Sequence, residues 1–122
     1  KFIDIPCEIS FVKVASYTGT ESSGKITEVI GLNEDITGRE VVIVEDIVDT
    51  GKTMERMLKV LWEKSPANIH ISTLLLKPGK LQVALNIKYA AMEIPNDFIV
   101  GYGLDYDQQG RNLRDIYTLV QE

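Results

Sequence analysis

The chemically richest stretch of the chain is Glu45-Asp46-Ile47-Val48-Asp49-Thr50-Gly51-Lys52-Thr53. Thr50, Gly51, Lys52 and Thr53 can turn consecutive backbone N–H groups and two hydroxyls toward one anion, and a helix starting there adds positive potential. A phosphate suits such a site. Glu45, Asp46 and Asp49 would repel that phosphate if they faced it, so they are expected to accept hydrogen bonds from hydroxyls or to hold a divalent cation beside it. A sugar phosphate meets both needs. A cap or dipole partner accounts for one acidic residue at a helix start, but not for three after an apolar run. Gly51-Lys52-Thr53 also matches the end of a Walker A loop, whose first glycine would fall at Asp46; the carboxylate there excludes it.

The neighbouring elements must deliver this segment to a ligand. Val41-Val42-Ile43-Val44 is a short β-branched run, which predicts a strand buried on both faces of a parallel sheet. From Thr53 the period changes: Met54, Met57, Leu58, Leu61 and Trp62 form one helical stripe, with Trp62 expected in the core, and Lys64-Ser65-Pro66 ends the helix. Ile69 to Leu76 supplies the next strand and completes a βαβ unit. Ligands of open parallel sheets bind where strand carboxyl ends meet helix N-termini, which is where the acidic segment falls. Upstream, Ile9 to Ala15 reads as a strand, Ser16 to Lys25 as a polar loop serving either as a lid or as a hairpin tip, and Ile26 to Ile30 as the returning strand. Gly31 to Glu40 is a polar connection. Tyr89 to Ile94, Phe98 to Tyr102 and Ile116 to Val120 are further strand candidates. No repeat or linker divides residues 1–122, so a single domain is expected.

Composition narrows the function. With 122 residues, 44% of them hydrophobic and 25% charged, the chain can bury a core without staples. Its lone cysteine, Cys7, has no partner in the chain and points to a reducing, cytoplasmic setting. A formal charge of −5 with no basic run argues against a nucleic-acid partner, and an acidic protein that handles an anion needs backbone donors or a cation to offset its own field. Apolar runs are far shorter than the ~20 residues that span a bilayer, so no membrane partner is expected, and no signal peptide is visible. The chain opens at Lys1 without a methionine, which suggests a piece of something longer.

The run Val41 to Met54 resembles the phosphoribosyl-diphosphate signature of type I phosphoribosyltransferases, in the form typical of the hypoxanthine(-guanine) branch. The resemblance implies an α/β fold with a mainly parallel sheet flanked by helices and a flexible lid hairpin. It implies that Glu45 and Asp46 bind the ribose 2′ and 3′ hydroxyls, that Asp49, Thr50, Gly51, Lys52 and Thr53 cradle the 5′-phosphate, and that Asp49 acts as catalytic base on the purine N7 proton. Leu74-Leu75-Leu76-Lys77 is similar to the strand whose terminal lysine donates to the exocyclic oxygen of a 6-oxopurine. Ile94 to Tyr102 is similar to the base-binding segment, in which Phe98 would stack on the purine and the Ile99 backbone would meet its Watson–Crick side. Gly103-Leu104-Asp105-Tyr106-Asp107 followed by Arg111 is similar to the stretch that holds magnesium and diphosphate; Asp105 is then the expected Mg2+ partner beside Glu45 and Asp46, and is also placed near the base. Ser16-Tyr17 resembles the dipeptide on the family's closing lid.

The implied reaction is purine salvage: transfer of 5-phosphoribosyl from phosphoribosyl diphosphate to N9 of a 6-oxopurine base, hypoxanthine or guanine, giving IMP or GMP and diphosphate. Family likeness also implies a homo-oligomer, dimer or tetramer. The resemblance runs from about Phe2 to Gln121 and covers the later part of the family's domain, so a preceding diphosphate-gripping loop is expected to be missing. A non-catalytic module that senses phosphoribosyl metabolites, or an inactive fragment, is the alternative; Asp49, Lys77 and Phe98 together favour the enzyme. An EF-hand over Asp105 to Ile116 is excluded, because Ile116 stands where a bidentate glutamate is required. His70 is expected to be structural.

Overall fold

The computed structural model describes the backbone of residues 1–18 and 25–120. A hairpin of β1 (Lys13–Thr18) and β2 (Lys25–Ile30) comes first, followed by β3 (Glu40–Val48), α1 (Lys52–Trp62), β4 (Asn68–Leu76) and β5 (Tyr89–Glu93). Two short strands, β6 (Ile99–Val100) and β7 (Tyr117–Thr118), close the order. β3, β4 and β5 form one parallel sheet in that order, and β1–β2 and β6–β7 are separate antiparallel pairs. The expected α/β architecture is present, with α1 the one α-helix among the described residues.

Ile43 within β3 and Val48 at its end join one core with Met54, Met57 and Leu61 of α1, Ile71 and Leu76 of β4, and Ile36; in α1 the helical stripe supplies the three residues. Each such side chain contributes about 1.5–3 kcal/mol on leaving water. Val14 and Val29 of the hairpin pack on the same cluster, as do Leu81, Leu85 and Ile87 from the segment after β4. This last segment returns to the start of α1, where Gln82 N–H donates to the Thr50 carbonyl at 2.9 Å.

Several expectations are corrected. β3 is an edge strand, and Val44 on it is 78% exposed, so the run 41–44 is covered on one face only. A continuous β-branched run cannot by itself report whether both of its faces have neighbours. β3 also continues to Val48, which puts Glu45 and Asp46 within the strand and leaves Asp49 to Gly51 as the turn. Trp62 is 48% exposed rather than core: it is the last helical residue and sits roughly a quarter-turn off the buried Met54, Met57 and Leu61 line. The first strand runs Lys13–Thr18 rather than Ile9 to Ala15, because it follows the ladder with β2, in which Ser16 and Tyr17 lie opposite Thr27 and Ile26. The proposed lid falls largely on residues 19–24, which lie outside the described residues, as do the side chains of Ser16 and Tyr17.

Candidate functional site

The site is built where β3 ends. Asp49, the first residue past the strand, points its carboxylate at two ammonium groups: Oδ2 is 3.5 Å from Lys77 Nζ and Oδ1 is 3.6 Å from Lys80 Nζ. Lys77 follows directly on β4, and its N–H donates to the Val48 carbonyl at 3.1 Å, which fixes it beside the residue before Asp49. Only 2% of Lys77 is exposed. A buried ammonium requires a partner, and Asp49 is that partner. Asp49 Oδ1 is shielded from solvent and accepts no hydrogen bond among the described residues, so the carboxylate keeps acceptor capacity for an N–H or O–H brought to it.

Gly51 makes the turn possible. Its φ of 82° is left-handed, and a Cβ there would lie 2.8 Å from Leu85 Cδ1 and 2.8 Å from Val83 Cγ2. The absence of a side chain is thus required by both backbone and space. α1 starts at Lys52 with Gly51 as its N-cap and no side-chain bond to the cap, so the N–H groups of Thr53 and Met54 remain available for an anion. Thr50 Oγ1 accepts the Lys52 N–H at 3.4 Å. Glu45, Asp49, Thr50, Gly51 and Thr53 share a cavity of about 220 Å³. Lys52 is exposed and does not line it. Partial burial raises the Glu45 carboxyl above its ordinary value, and the neighbouring Asp46 charge adds to the effect. Asp46 is exposed, and its Oδ1 accepts the Ile47 N–H at 2.7 Å.

A second group forms beyond β5. Phe98, 49% exposed, meets Tyr106 edge to face, with ring centroids 5.7 Å apart and planes at 81°. Ile99 lies partly buried in β6 opposite Thr118. Asp105 Oδ1 is 2.9 Å from Arg111, and Asp105 Oδ2 accepts the Gln108 N–H at 2.8 Å. Arg111 also donates to the Gly103 carbonyl at 2.8 Å. The two groups are joined through the chain: Ile94 N–H donates to Leu76 O at 2.8 Å, and Asn96 packs so closely over Gly79 that a Cβ there would lie 2.9 Å from its Oδ1. The turn carrying Lys77 and Lys80 therefore rests on the segment leading to Phe98.

The residues read from sequence thus fall into two sets, Glu45 with Asp49, Thr50, Gly51, Thr53 and Lys77, and Phe98 with Asp105 and Arg111. No ion pair among the described residues crosses between them, and no three acidic, histidine or cysteine groups there converge as a metal cage. Among the described residues Asp105 does not join Glu45 and Asp46 in such a cage; its carboxylate pairs with Arg111. A larger cavity of about 520 Å³ opens among Leu74, Met92, Ile94 and Ile116, and it touches Ile99 but neither Asp49 nor Lys77. Its lining is mostly apolar, with Asp97, Arg114 and Asp115 among it; the smaller cavity holds Asp49, which faces the buried Lys77, beside the start of α1, and is the candidate chemical site. Lys80 and Tyr106 were not singled out from sequence. A second lysine three residues after Lys77 is a signal for the first; nothing in the chain marks an aromatic in a polar loop as paired.

Comparison with known proteins places the chain in one family. Residues 2–107 match the model of the phosphoribosyl transferase domain. The chain belongs to the phosphoribosyltransferase family. It is 43% identical over 118 residues to a hypoxanthine-guanine phosphoribosyltransferase of Mycobacterium tuberculosis, covering 96% of this chain and 58% of that protein. The chain therefore spans little more than half the length of that curated relative. A crystal structure of a hypoxanthine phosphoribosyltransferase from Staphylococcus aureus superposes with a TM-score of 0.83 at 37% identity, over 96% of this chain and 64% of that one. An enzyme of the same kind from Leishmania tarentolae, solved in complex with GMP, matches with a TM-score of 0.70 at 34% identity, over 74% and 53% of the two chains. This phosphoribosyltransferase domain therefore shares its overall fold with both.

Proposed function

We propose that the protein transfers 5-phosphoribosyl from phosphoribosyl diphosphate to N9 of hypoxanthine or guanine, giving IMP or GMP and diphosphate. The observation that carries this reading is the Asp49 carboxylate, set at the end of β3 against the buried Lys77 ammonium, with one shielded oxygen left unbonded. An acceptor next to a buried donor matches a 6-oxopurine, which offers an N7 proton to the first and an exocyclic oxygen to the second.

In the reaction the N9–C1′ bond forms, the bond from C1′ to diphosphate oxygen breaks, and Asp49 takes the N7 proton. Thr50 to Thr53 hold the 5′-phosphate through the open N–H groups of α1. Glu45 and Asp46 accept from the ribose hydroxyls, and the raised Glu45 carboxyl gains a partner when a hydroxyl or cation arrives. Phe98 stacks on the base, the Ile99 backbone meets its Watson–Crick edge, Arg111 balances diphosphate charge, and Ser16-Tyr17 close the lid. Mg2+ fits in the manner usual for that ion, with one or two carboxylates, retained waters and substrate phosphates. Glu45, Asp46 or Asp105 would hold it, and it would supply charge neutralisation for the leaving group. The relatives' names and the GMP complex of the Leishmania tarentolae enzyme support the substrate class. A cytoplasmic setting accompanies this reading, consistent with the exposed free thiol of Cys7.

The test is direct. The protein is mixed with phosphoribosyl diphosphate and magnesium, and in turn with hypoxanthine, guanine, xanthine and adenine, and nucleotide is followed by absorbance. Turnover with the 6-oxo bases and little with adenine is expected. Binding without turnover would move the protein to the non-catalytic sensing reading.

A further inference from the structure

We infer that Tyr106 is a positioning residue for the purine: its ring, delivered by a pinned turn, sets the plane of Phe98 on which the base stacks. This deepens the base-stacking role proposed for Phe98 and rests on it.

The edge-to-face pair lies outside the core. Phe98 is 49% exposed and Tyr106 54% exposed, so burial does not choose their rotamers. A half-exposed phenylalanine alone would sample several staggered wells. The 81° crossing at 5.7 Å is the arrangement in which the positive edge of one ring meets the negative face of the other, and it holds Phe98 in one orientation. Phe98 is half exposed, so part of its ring stays accessible to a base.

Tyr106 can act as a brace because its own backbone is fixed. Tyr106 N–H donates to Gln109 O at 2.9 Å, and Gln109 N–H returns to Tyr106 O at 3.0 Å. The two residues between them, Asp107 and Gln108, have φ of 49° and 65°, the tight-turn pattern that reverses a chain in the fewest residues. On the other side, Asp105 is tied to Arg111 at 2.9 Å and accepts from Gln108. One short turn therefore carries the ring that orients Phe98 and the carboxylate that engages Arg111. The purine and diphosphate groups share a mechanical support.

The test uses the protein at its full natural length. Tyr106→Ala is expected to raise KM for hypoxanthine about 2–10-fold, the range an aromatic pair supplies, with KM for phosphoribosyl diphosphate and kcat unchanged. Tyr106→Phe keeps the ring and retains the wild-type KM. In the Phe98→Ala background, Tyr106→Ala adds nothing further, because the ring it orients is gone. An unchanged hypoxanthine KM in Tyr106→Ala, an equal rise in both KM values, or a fall in kcat alone overturns the brace while wild-type turnover leaves the purine reading standing. A wild-type protein that neither binds nor converts hypoxanthine overturns both.

Discussion

The two ends of the β3–β4 pair each set an acidic residue against a basic one, and they are built in opposite ways. At the amino end Glu40 Oε2 lies 2.9 Å from His70 Nε2, and Glu40 Oε1 accepts from Asn68 at 3.0 Å. At the carboxyl end Asp49 and Lys77 are 3.5 Å apart. The shorter contact is the weaker device. Glu40 is mostly in water, where a polar contact costs little to lose, whereas Lys77 is buried and pairs with Asp49. At the amino end both Glu40 oxygens already meet neighbours, and the group stands in water, which competes with any ligand. The carboxyl end leaves a shielded oxygen unbonded, and that residual capacity is what a ligand can use.

The strongest way to break this contrast is Asp49→Asn. It should lower kcat by roughly 10²–10⁴-fold, the span of general base catalysis, while KM for phosphoribosyl diphosphate holds, since the phosphate donors are backbone groups of α1. Steady-state kinetics decides the point, and a matching loss of binding would remove the base role. Gly51→Ala comes next: a left-handed φ and two contacts at 2.8 Å should cost about 1–3 kcal/mol in denaturant unfolding, whereas Gly38→Ala, with nothing within 4 Å of its Cβ, bears only the backbone strain.

Glu45→Gln sharpens the carboxyl end in metal-free buffer. Because the folded pKa of Glu45 is raised above its ordinary 4.5, its contribution is fully present at low pH and is lost as pH rises through the folded value. The variant should therefore melt higher than wild type at pH 7 and no higher at pH 4. Glu40→Gln is the smallest effect and runs the other way. The Asn68 and His70 hydrogen bonds lower the Glu40 pKa from 4.5, so its contribution is present above that value and fades as pH falls through the depressed one. The Tm of the variant should lie slightly below wild type at neutral pH and merge with it in acid; a large drop at pH 7 would erase the distinction between the two ends.

Much of the site was legible because its signals are local. Asp49, Thr50, Gly51 and Thr53 announce a helix start with open donors after an apolar strand, and the helix begins within one residue of the expected place. Lys77 was legible as the residue closing a strand. What was not legible depended on neighbours remote in sequence: the open face of Val44, the exposure of Trp62, and the ladder that shifts the first strand to Lys13–Thr18. Periodicity reports which side chains share a face, and it is silent on whether anything covers that face.

The chain's own chemistry determined that an acidic, glycine-containing turn follows a β-branched strand, since left-handed backbone, helix N-termini and carboxylates act over a few residues. Only the tertiary structure decided that Lys77 and Lys80 flank Asp49, that Arg111 pairs with Asp105, and that Tyr106 meets Phe98. Those are pairings between residues separated along the chain, and their energies depend on burial and distance, which exist only once the sheet has assembled.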